Sequence, residues 1–173
     1  MKGPTRVLVI DADVARAAGC EPLDRPWPEV ARDSHQALEE IRSVASYRVA
    51  FDRTLKLEWK KHAGKSATRW FAVMLGARRV EMVDQADDDW IKALIRHLPE
   101  RDRPTASKDR HIVALACGCD QRLISSDRKA REKFARLTKH DSKLASLHWV
   151  CVCPETRRWL RDGSPDRGDF RLA

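Results

Sequence analysis

The sequence predicts a three-layer α/β/α sandwich around a central, mainly parallel sheet. The short apolar run Arg6–Ile10 is hydrophobic without alternation, as strands buried on both faces are, and Tyr47–Phe51 is predicted to be a second strand. Segments with helical periodicity separate the predicted strands, and this alternation is typical of parallel βα units. The 173 residues suit one domain, with a core over 1–162 and a loose tail over 163–173.

The amino-terminal half supplies the first two strands and the helices around them. The first strand ends at Asp11, and the proline-rich segment Gly19–Asp33 is predicted to be a loop. From Ser34 the apolar residues recur at helical spacing until the second strand begins. A further helix is predicted from about Thr54 to His62.

The carboxyl-terminal half alternates helices with two more strands. Two helices are predicted between Ser66 and Leu98, the second starting at the acidic cluster Asp87–Asp89. After a polar loop over Arg101–Ser107, Ser107 is a plausible N-cap for a helix that reaches Ala116. The last predicted elements are the strand Arg122–Ser125, a basic helix after Asp127, the strand Leu147–Cys153 and a short helix over Glu155–Leu160.

Composition limits the classes of function. The net charge of +8 indicates an anionic partner, and nucleic acid is the usual one. No apolar run approaches the roughly 18 residues that span a bilayer, and no secretory core follows the amino terminus, so we expect a cytoplasmic protein away from membranes. The five cysteines form no disulfide framework, and core packing is favoured over a zinc site made by the two Cys-x-Cys pairs.

Several carboxylates are predicted to meet at one edge of the sheet. Function collects at the carboxyl ends of parallel strands, where Asp11, Asp52 and Asp127 are expected. Glu58 and Asp109 are predicted to lie on helices. Each is spaced so that it shares a helix face with apolar residues instead of lying on the solvent-exposed face. We therefore expect both to point toward the sheet.

A divalent cation would explain these clustered acids. Burying like charges together is expensive unless something neutralises them, and carboxylate oxygens suit Mg²⁺ or Mn²⁺. Each acid also has a purely structural interpretation: Asp11 as a turn residue, Asp127 as an N-cap, Asp109 as a first-turn acid, and Glu58 as a rim residue paired with Lys61. Together they favour a site.

Four segments resemble the PIN-domain family, and they cover nearly the whole chain in order. They are Val-Leu-Val-Ile-Asp11-Ala-Asp13, Leu55-Lys-Leu-Glu58-Trp, Lys108-Asp109-Arg-His-Ile-Val-Ala-Leu-Ala116 and Leu123-Ile-Ser-Ser-Asp127. The resemblance implies a metal-dependent endonuclease that usually acts on RNA. It also raises two expectations about partners, a homodimer and an antitoxin-type protein.

The resemblance implies a role for each matching residue. The metal-binding, catalytic set is Asp11, Glu58, Asp109 and Asp127, with Asp13 and Ser125 as auxiliary residues. Many compact members carry the second acid in the helix before the second strand, so Glu40 is kept as the alternative to Glu58. The proposed substrate contacts are Lys56, Lys61, Lys108, Arg128 and Lys129, although such charges are more often a solvated helix face.

Two other functions compete with the nuclease. The pair Asp11 and Asp13 after a strand also resembles the nucleophile motif of haloacid-dehalogenase-type phosphatases, in which the first Asp attacks phosphorus and the second is the general acid. That family needs further acids after a late strand, which Val150–Pro154 does not provide. The third candidate is a PIN-like module that binds RNA or protein without cutting.

Overall fold

The computed structural model describes residues 5–19 and 26–173 and forms the predicted three-layer α/β/α sandwich. Its central sheet has five strands, all parallel, in the order β3-β2-β1-β4-β5. The strands are β1 (Arg6–Ile10), β2 (Tyr47–Phe51), β3 (Val80–Met82), β4 (Arg122–Ile124) and β5 (His148–Val150).

The helices of the described residues flank this sheet in two groups. They are α1 (Ala12–Ala18), α2 (Glu29–Ser43), α3 (Arg53–His62), α4 (Lys65–Gly76), α5 (Asp89–Ile95), α6 (Arg103–Gly118), α7 (Arg128–Ala135), α8 (Ser142–Ser146) and α9 (Pro154–Arg161). Helix α2 packs against α1, α4 and α9, helix α6 packs against α5 and α7, and α3 contacts both α1 and α6. None of the helices in residues 5–19 and 26–173 is long and apolar enough to cross a membrane.

The strand order creates a crevice beside β1. The chain builds β1, β2 and β3 toward one side and then returns to place β4 and β5 on the other side. At the carboxyl end of this junction, Ile10 of β1 lies opposite Ile124 of β4. Open α/β sheets bind ligands at such a switch point, because the two following connections diverge there and leave a gap.

The start of the chain holds one helix that the sequence analysis did not predict, and another that begins early. Helix α1 starts directly after Asp11, which is its N-cap. Helix α2 begins at Glu29, after Pro28, and not at Ser34, so the loop predicted over Gly19–Asp33 is wrong from residue 29 onward. Residues 20–25 of that loop, with Cys20, lie outside the described residues.

Helix α6 also begins earlier than predicted, at Arg103 and not after Ser107. Pro104 lies in its first turn, where proline's fixed φ suits a helix and its missing N–H is not needed. The polar loop predicted over Arg101–Ser107 is therefore wrong. As a consequence, Asp109 lies about two turns into the helix, and its interpretation as a first-turn, dipole-compensating acid no longer holds.

The end of the chain folds back onto the sheet. The backbone N–H of Leu172 donates to the carbonyl of Leu147 over 2.8 Å, and Leu172 is buried. Residues Gly168–Phe170 form a turn of 3₁₀ helix. The loose tail predicted from Gly163 is therefore wrong: this segment closes over the amino-terminal end of β5.

A close contact between two glycines fixes α1 against the start of α4. A Cβ atom built on Gly19 would lie 2.4 Å from the Cα of Gly64, and one built on Gly64 would lie 2.5 Å from the Cα of Gly19. Only residues without a Cβ permit this approach. The contact holds the end of α1, a helix that lines the crevice, against the start of α4.

Candidate active site

Asp11 stands at the crevice and is held from three sides. Its backbone N–H donates to the carbonyl of Ile124 over 2.9 Å, which joins it to the end of β4. Its Oδ1 accepts from the N–H of Asp13 at 3.3 Å, and its Oδ2 accepts from the hydroxyl of Ser125 at 2.8 Å. The carboxylate is therefore both the cap of α1 and a fixed group at the switch point.

Ser125 connects Asp11 to Asp127. Its hydroxyl oxygen accepts from the N–H of Asp127 at 3.2 Å while its proton goes to Asp11. Asp127 in turn caps α7, because its Oδ1 accepts from the N–H of Ala130 at 2.8 Å. The capping roles considered for Asp11 and Asp127 thus exist, but a carboxylate has about four acceptor positions, so both groups keep capacity for a ligand.

Capping does not explain Asp13 and Asp109. One oxygen of Asp13, Oδ2, accepts from the N–H of Ser126 at 2.9 Å, but its Oδ1 is buried with no hydrogen-bond partner in the described parts of the chain. The Oδ2 of Asp109 is likewise buried without a partner among those residues, and Asp109 is only 7% exposed. Buried carboxylate oxygens without partners are costly, so these two point to a ligand.

The pKa values of the three buried acids rise together. Burial raises the pKa of Asp13 to about 7, with the nearby charge of Asp11 as the next cause. Burial and then the charge of Asp11 raise the pKa of Asp109 to about 6. Burial also raises the pKa of Asp11, against the hydrogen bond from Ser125. These carboxyl groups therefore hold their protons more tightly than free ones do, because burial and the neighbouring acids penalise the charged form.

Glu58 reaches the same place from α3 and is paired with a histidine. The Nε2 of His111, on α6, lies 3.1 Å from the Oε2 of Glu58. Burial is the largest single effect and lowers the pKa of His111. The hydrogen bond to Glu58, together with the charges of Glu58, Asp52 and Asp109, outweighs it, so the pKa is raised. Glu58 is more exposed than its predicted stripe implies: Leu55 and Trp59 are buried, whereas the Glu58 side chain is 37% exposed.

The five acids described above line one cleft of about 620 Å³. The cleft brings together all four predicted metal ligands, one of the two auxiliary residues, and one of the predicted substrate contacts. Its walls add two basic side chains, from α1 and the end of α3. The acidic lining residues are Asp11, Asp13, Glu58, Asp109 and Asp127, and the basic ones are Arg16, His62 and Lys108.

Glu40, the alternative second acid, does not line this cleft. Its carboxylate binds Arg157 at 3.1 Å and Arg161 at 3.2 Å, which ties α2 to α9. The hydrogen bond from Arg161 lowers the pKa of Glu40. Asp52 is occupied as well: it caps α3 through Leu55 and accepts from Gln85 at 3.0 Å.

The predicted substrate contacts separate in the structure. Lys108 lines the cleft, whereas Lys56 lines an apolar pocket on another face of α3. Arg128 lines a separate groove beside Cys151 and Cys153. The other two, Lys61 and Lys129, are exposed on helix surfaces.

The cleft offers oxygen ligands of the kind that a hard cation binds, but its side chains are not arranged around such an ion. Within residues 5–19 and 26–173, no group of three or more His, Cys, Asp or Glu side chains is arranged so that it could hold a metal ion. Oxygen donors, unpartnered buried carboxylate atoms and raised pKa values fit Mg²⁺ or Mn²⁺. Binding an ion would require the carboxylates to move closer together.

The thiols form no competing metal centre among the described residues. The four described cysteines, Cys117, Cys119, Cys151 and Cys153, are free and half-buried. Burial raises the pKa of Cys117 to about 12 and also raises the pKa of Cys151. Such thiols stay protonated and behave as small packing residues.

Comparisons with models of protein families, with curated proteins and with solved structures gave no match. The functional interpretation therefore depends on the cleft itself: five carboxylates from β1, α1, α3, α6 and the end of β4, gathered at the switch point of a parallel sheet.

Proposed function

We propose that this chain is a metal-dependent endoribonuclease of the PIN type, which hydrolyses RNA phosphodiester bonds in the cleft beside β1. The observation that carries the proposal is the pair of unpartnered carboxylate oxygens, on Asp13 and Asp109, buried in a cleft with three further acids. The protein around them is basic, with a net charge of +8. A cation and a phosphate together would satisfy both features.

The metal ligands in this proposal are Asp11, Glu58, Asp109 and Asp127. When bound, Mg²⁺ or Mn²⁺ polarises the phosphate, lowers the pKa of a water molecule and stabilises the leaving oxygen. The protein contributes rigid placement: Asp11 and Asp127 are fixed by backbone N–H groups in the first turns of α1 and α7. Ser125 holds both of them through one hydroxyl.

The chain also offers a group for proton transfer. Hydrolysis joins the water oxygen to phosphorus and breaks the bond to the leaving oxygen. A base takes a proton from the water, and the leaving oxygen receives a proton to become a hydroxyl. Asp13 is the acid of the cleft that the proposed ligand set leaves over, and we assign it as the group that accepts the proton from the water. Lys108, at the wall of the cleft, supplies positive charge for the phosphate.

RNA is the proposed substrate because of the charge of the protein and the resemblance of its motifs. Lys61 and Lys129 lie on exposed helix surfaces and would add salt-sensitive, sequence-independent attraction. Lys56 and Arg128 line other pockets, so their part in binding would be on the approach and not at the scissile bond. The homodimer, the antitoxin-type partner and the cytoplasmic location stay predictions.

The test is cleavage of a labelled single-stranded RNA. We expect cleavage with Mg²⁺ or Mn²⁺, none in excess chelator, and recovery when the metal is restored. The rate should fall steeply as salt rises, since phosphate contacts release counterions. RNA binding in a gel shift, with no cleavage under any of these metals, would instead assign the chain as a binding module.

The phosphatase interpretation has one observation in its favour. Asp13, two residues after Asp11, has the near-neutral pKa that suits a general acid. The partner acids differ, however, because Glu58 and Asp109 come from helices α3 and α6. Release of phosphate from a small phosphomonoester, together with a trapped aspartyl-phosphate, would establish this reaction in place of RNA cleavage.

His111 is a positioning residue for Glu58 in this scheme. Replacing it in His111→Ala removes the contact that orients a half-exposed carboxylate, so we expect apparent Mn²⁺ affinity to fall by about tenfold, as for other partners of metal ligands. Cleavage at saturating Mn²⁺ should recover most of the wild-type kcat. The measurement is a Mn²⁺ titration of binding and of rate.

A matched substitution separates orientation from packing. In His111→Gln the side-chain amide retains a donor near the position of Nε2, so this variant should recover part of the lost affinity. A kcat that stays low at saturating Mn²⁺, or an unchanged affinity in His111→Ala, would remove His111 from this role.

A further inference from the structure

The opposite edge of the sheet gathers basic residues. Three strands begin there with a cationic or potentially cationic residue: Arg6 in β1, Arg122 in β4 and His148 in β5. These strands are neighbours, and Arg122 lies directly opposite His148 in the register. Because the strands are parallel, their amino-terminal residues meet at the edge farthest from the carboxylate cleft.

A polar cavity of about 350 Å³ opens at this edge. Its lining includes the three strand residues, Arg171 from the carboxyl-terminal segment, and the acids Asp120 and Asp166. Its volume is at the lower end of the range of small-molecule sites, about 300–1,000 Å³. The cavity is separate from the cleft and shares none of its lining residues.

The two acids in this cavity already have partners. The Oδ2 of Asp120 accepts from the N–H of Val7 at 2.9 Å. The Oδ1 of Asp166 accepts from Nη2 of Arg122 at 2.6 Å. Arg122 is itself buried and also donates to the carbonyls of Ser164 and Asp120, so it is a structural residue. The cavity nevertheless has three arginines, Arg6, Arg122 and Arg171, against these two acids, so one positive charge among its described lining residues has no acidic counterpart.

His148 presents an unused donor. Its Nε2 accepts from the N–H of Arg167 at 3.3 Å, so in the neutral ring the proton must be on Nδ1. Burial, and then the charge of Arg122, lower the pKa of His148 and keep the ring neutral. Its Nδ1 is buried and has no partner among the described residues, although His148 is only 3% exposed.

Two arginines complete the set. The Nε of Arg6 is also buried without a hydrogen-bond partner in the described ranges. Arg171 is exposed beside His148, and no ion pair of its side chain with a described residue is found. The groups without partners among the described residues, Arg6 Nε and His148 Nδ1, are both donors, and the lining has one more arginine than acids, so a ligand with acceptor oxygens and negative charge would complement it.

We propose that this cavity, between Arg6, His148 and Arg171, is a phosphate-binding site, taking either inorganic phosphate or the phosphate of a nucleoside monophosphate. Phosphate oxygens match guanidinium groups in geometry and charge, and they accept from a neutral imidazole N–H as well. The site lies at the edge of the sheet opposite the carboxylates, so this proposal does not depend on the proposed nuclease activity.

Calorimetric titration in chelator tests the site with two probes, sodium phosphate and adenosine 5′-monophosphate, at constant ionic strength. We expect a dissociation constant of about 1 mM or tighter for at least one of them. Equal affinities would indicate free phosphate as the ligand, and tighter binding of the nucleotide would indicate a nucleotide. Exposed Arg171 is the first position to change, because Arg171→Gln should fold normally and bind at least about tenfold more weakly.

Controls locate the binding. Arg69→Gln removes an exposed arginine from α4 and should leave the affinity unchanged. In ¹⁵N-histidine spectra, the signal lost in His148→Gln should be the one that phosphate shifts. No binding above the ionic-strength control, equal weakening in Arg69→Gln, or loss of binding in Lys108→Gln with retention in Arg171→Gln would each overturn the proposal.

Discussion

Asp11→Asn is expected to lower the rate of metal-dependent RNA cleavage by about 10²–10³-fold while the protein stays folded. The amide oxygen still accepts from the N–H of Asp13, so α1 keeps its cap, while the charge and the acceptor for the Ser125 hydroxyl are lost. The same loss is expected for Asp109→Asn, whose carboxylate caps nothing. Single-turnover cleavage at saturating Mn²⁺, with circular dichroism of each variant, measures the effect.

Glu40→Gln is the matched control for these changes. It removes a carboxylate that the sequence placed in reserve for the metal, but that the structure pairs with Arg157 and Arg161. Its cleavage rate should equal that of wild type, although weakened packing of α9 can lower its melting temperature. Full activity in Glu58→Gln together with loss of activity in Glu40→Gln would reverse the assignment of the second acid.

The carboxyl-terminal edge of the sheet could be predicted because a buried strand appears in the sequence as a short run of hydrophobic residues. The bounds of β1 and β2 match the prediction, and parallel topology then places Asp11 and Asp127 at one edge. The edge strand Val80–Met82 was missed because three partly exposed residues have no such signal. Helix α1 did have a recognisable sequence signal: Asp11 is an N-cap residue, and apolar residues follow it at helical spacing.

Helical periodicity predicted which face of a helix a side chain lies on better than it predicted the neighbours of that side chain. It placed Asp109 correctly on the buried side of α6, although it used a helix start that was wrong by several residues. For Glu58 it gave no hint of His111, because the pair joins two helices across 53 residues of sequence. Periodicity identifies which face of a helix turns inward, but only the packing of helices decides which side chains meet.

Asp109→Asn is also expected to stabilise the metal-free protein, the reverse of its effect on catalysis. In the folded state burial and the charge of Asp11 raise the pKa of Asp109 to about 6, above the unfolded value of about 3.9. Below about pH 4 both states are protonated and the variant gains nothing from charge. Above about pH 6 Asp109 is ionised in the folded wild type, which then bears the full cost of the buried charge. The unfolding free energy of the variant should therefore exceed that of wild type by about 1–3 kcal/mol.

Urea unfolding in chelator at pH 4 and pH 8 measures this gain, and added Mn²⁺ should reverse it. A cation that binds the folded state stabilises wild type by mass action, whereas Asp109→Asn has lost a ligand and should respond less. A variant less stable than wild type at pH 8 in chelator would mean that Asp109 is satisfied by a contact inside the protein. A variant that is more stable than wild type in chelator and less stable with Mn²⁺ would indicate a carboxylate kept for a ligand at the expense of folding stability. A capping or packing role for Asp109 would instead predict a less stable variant under both conditions.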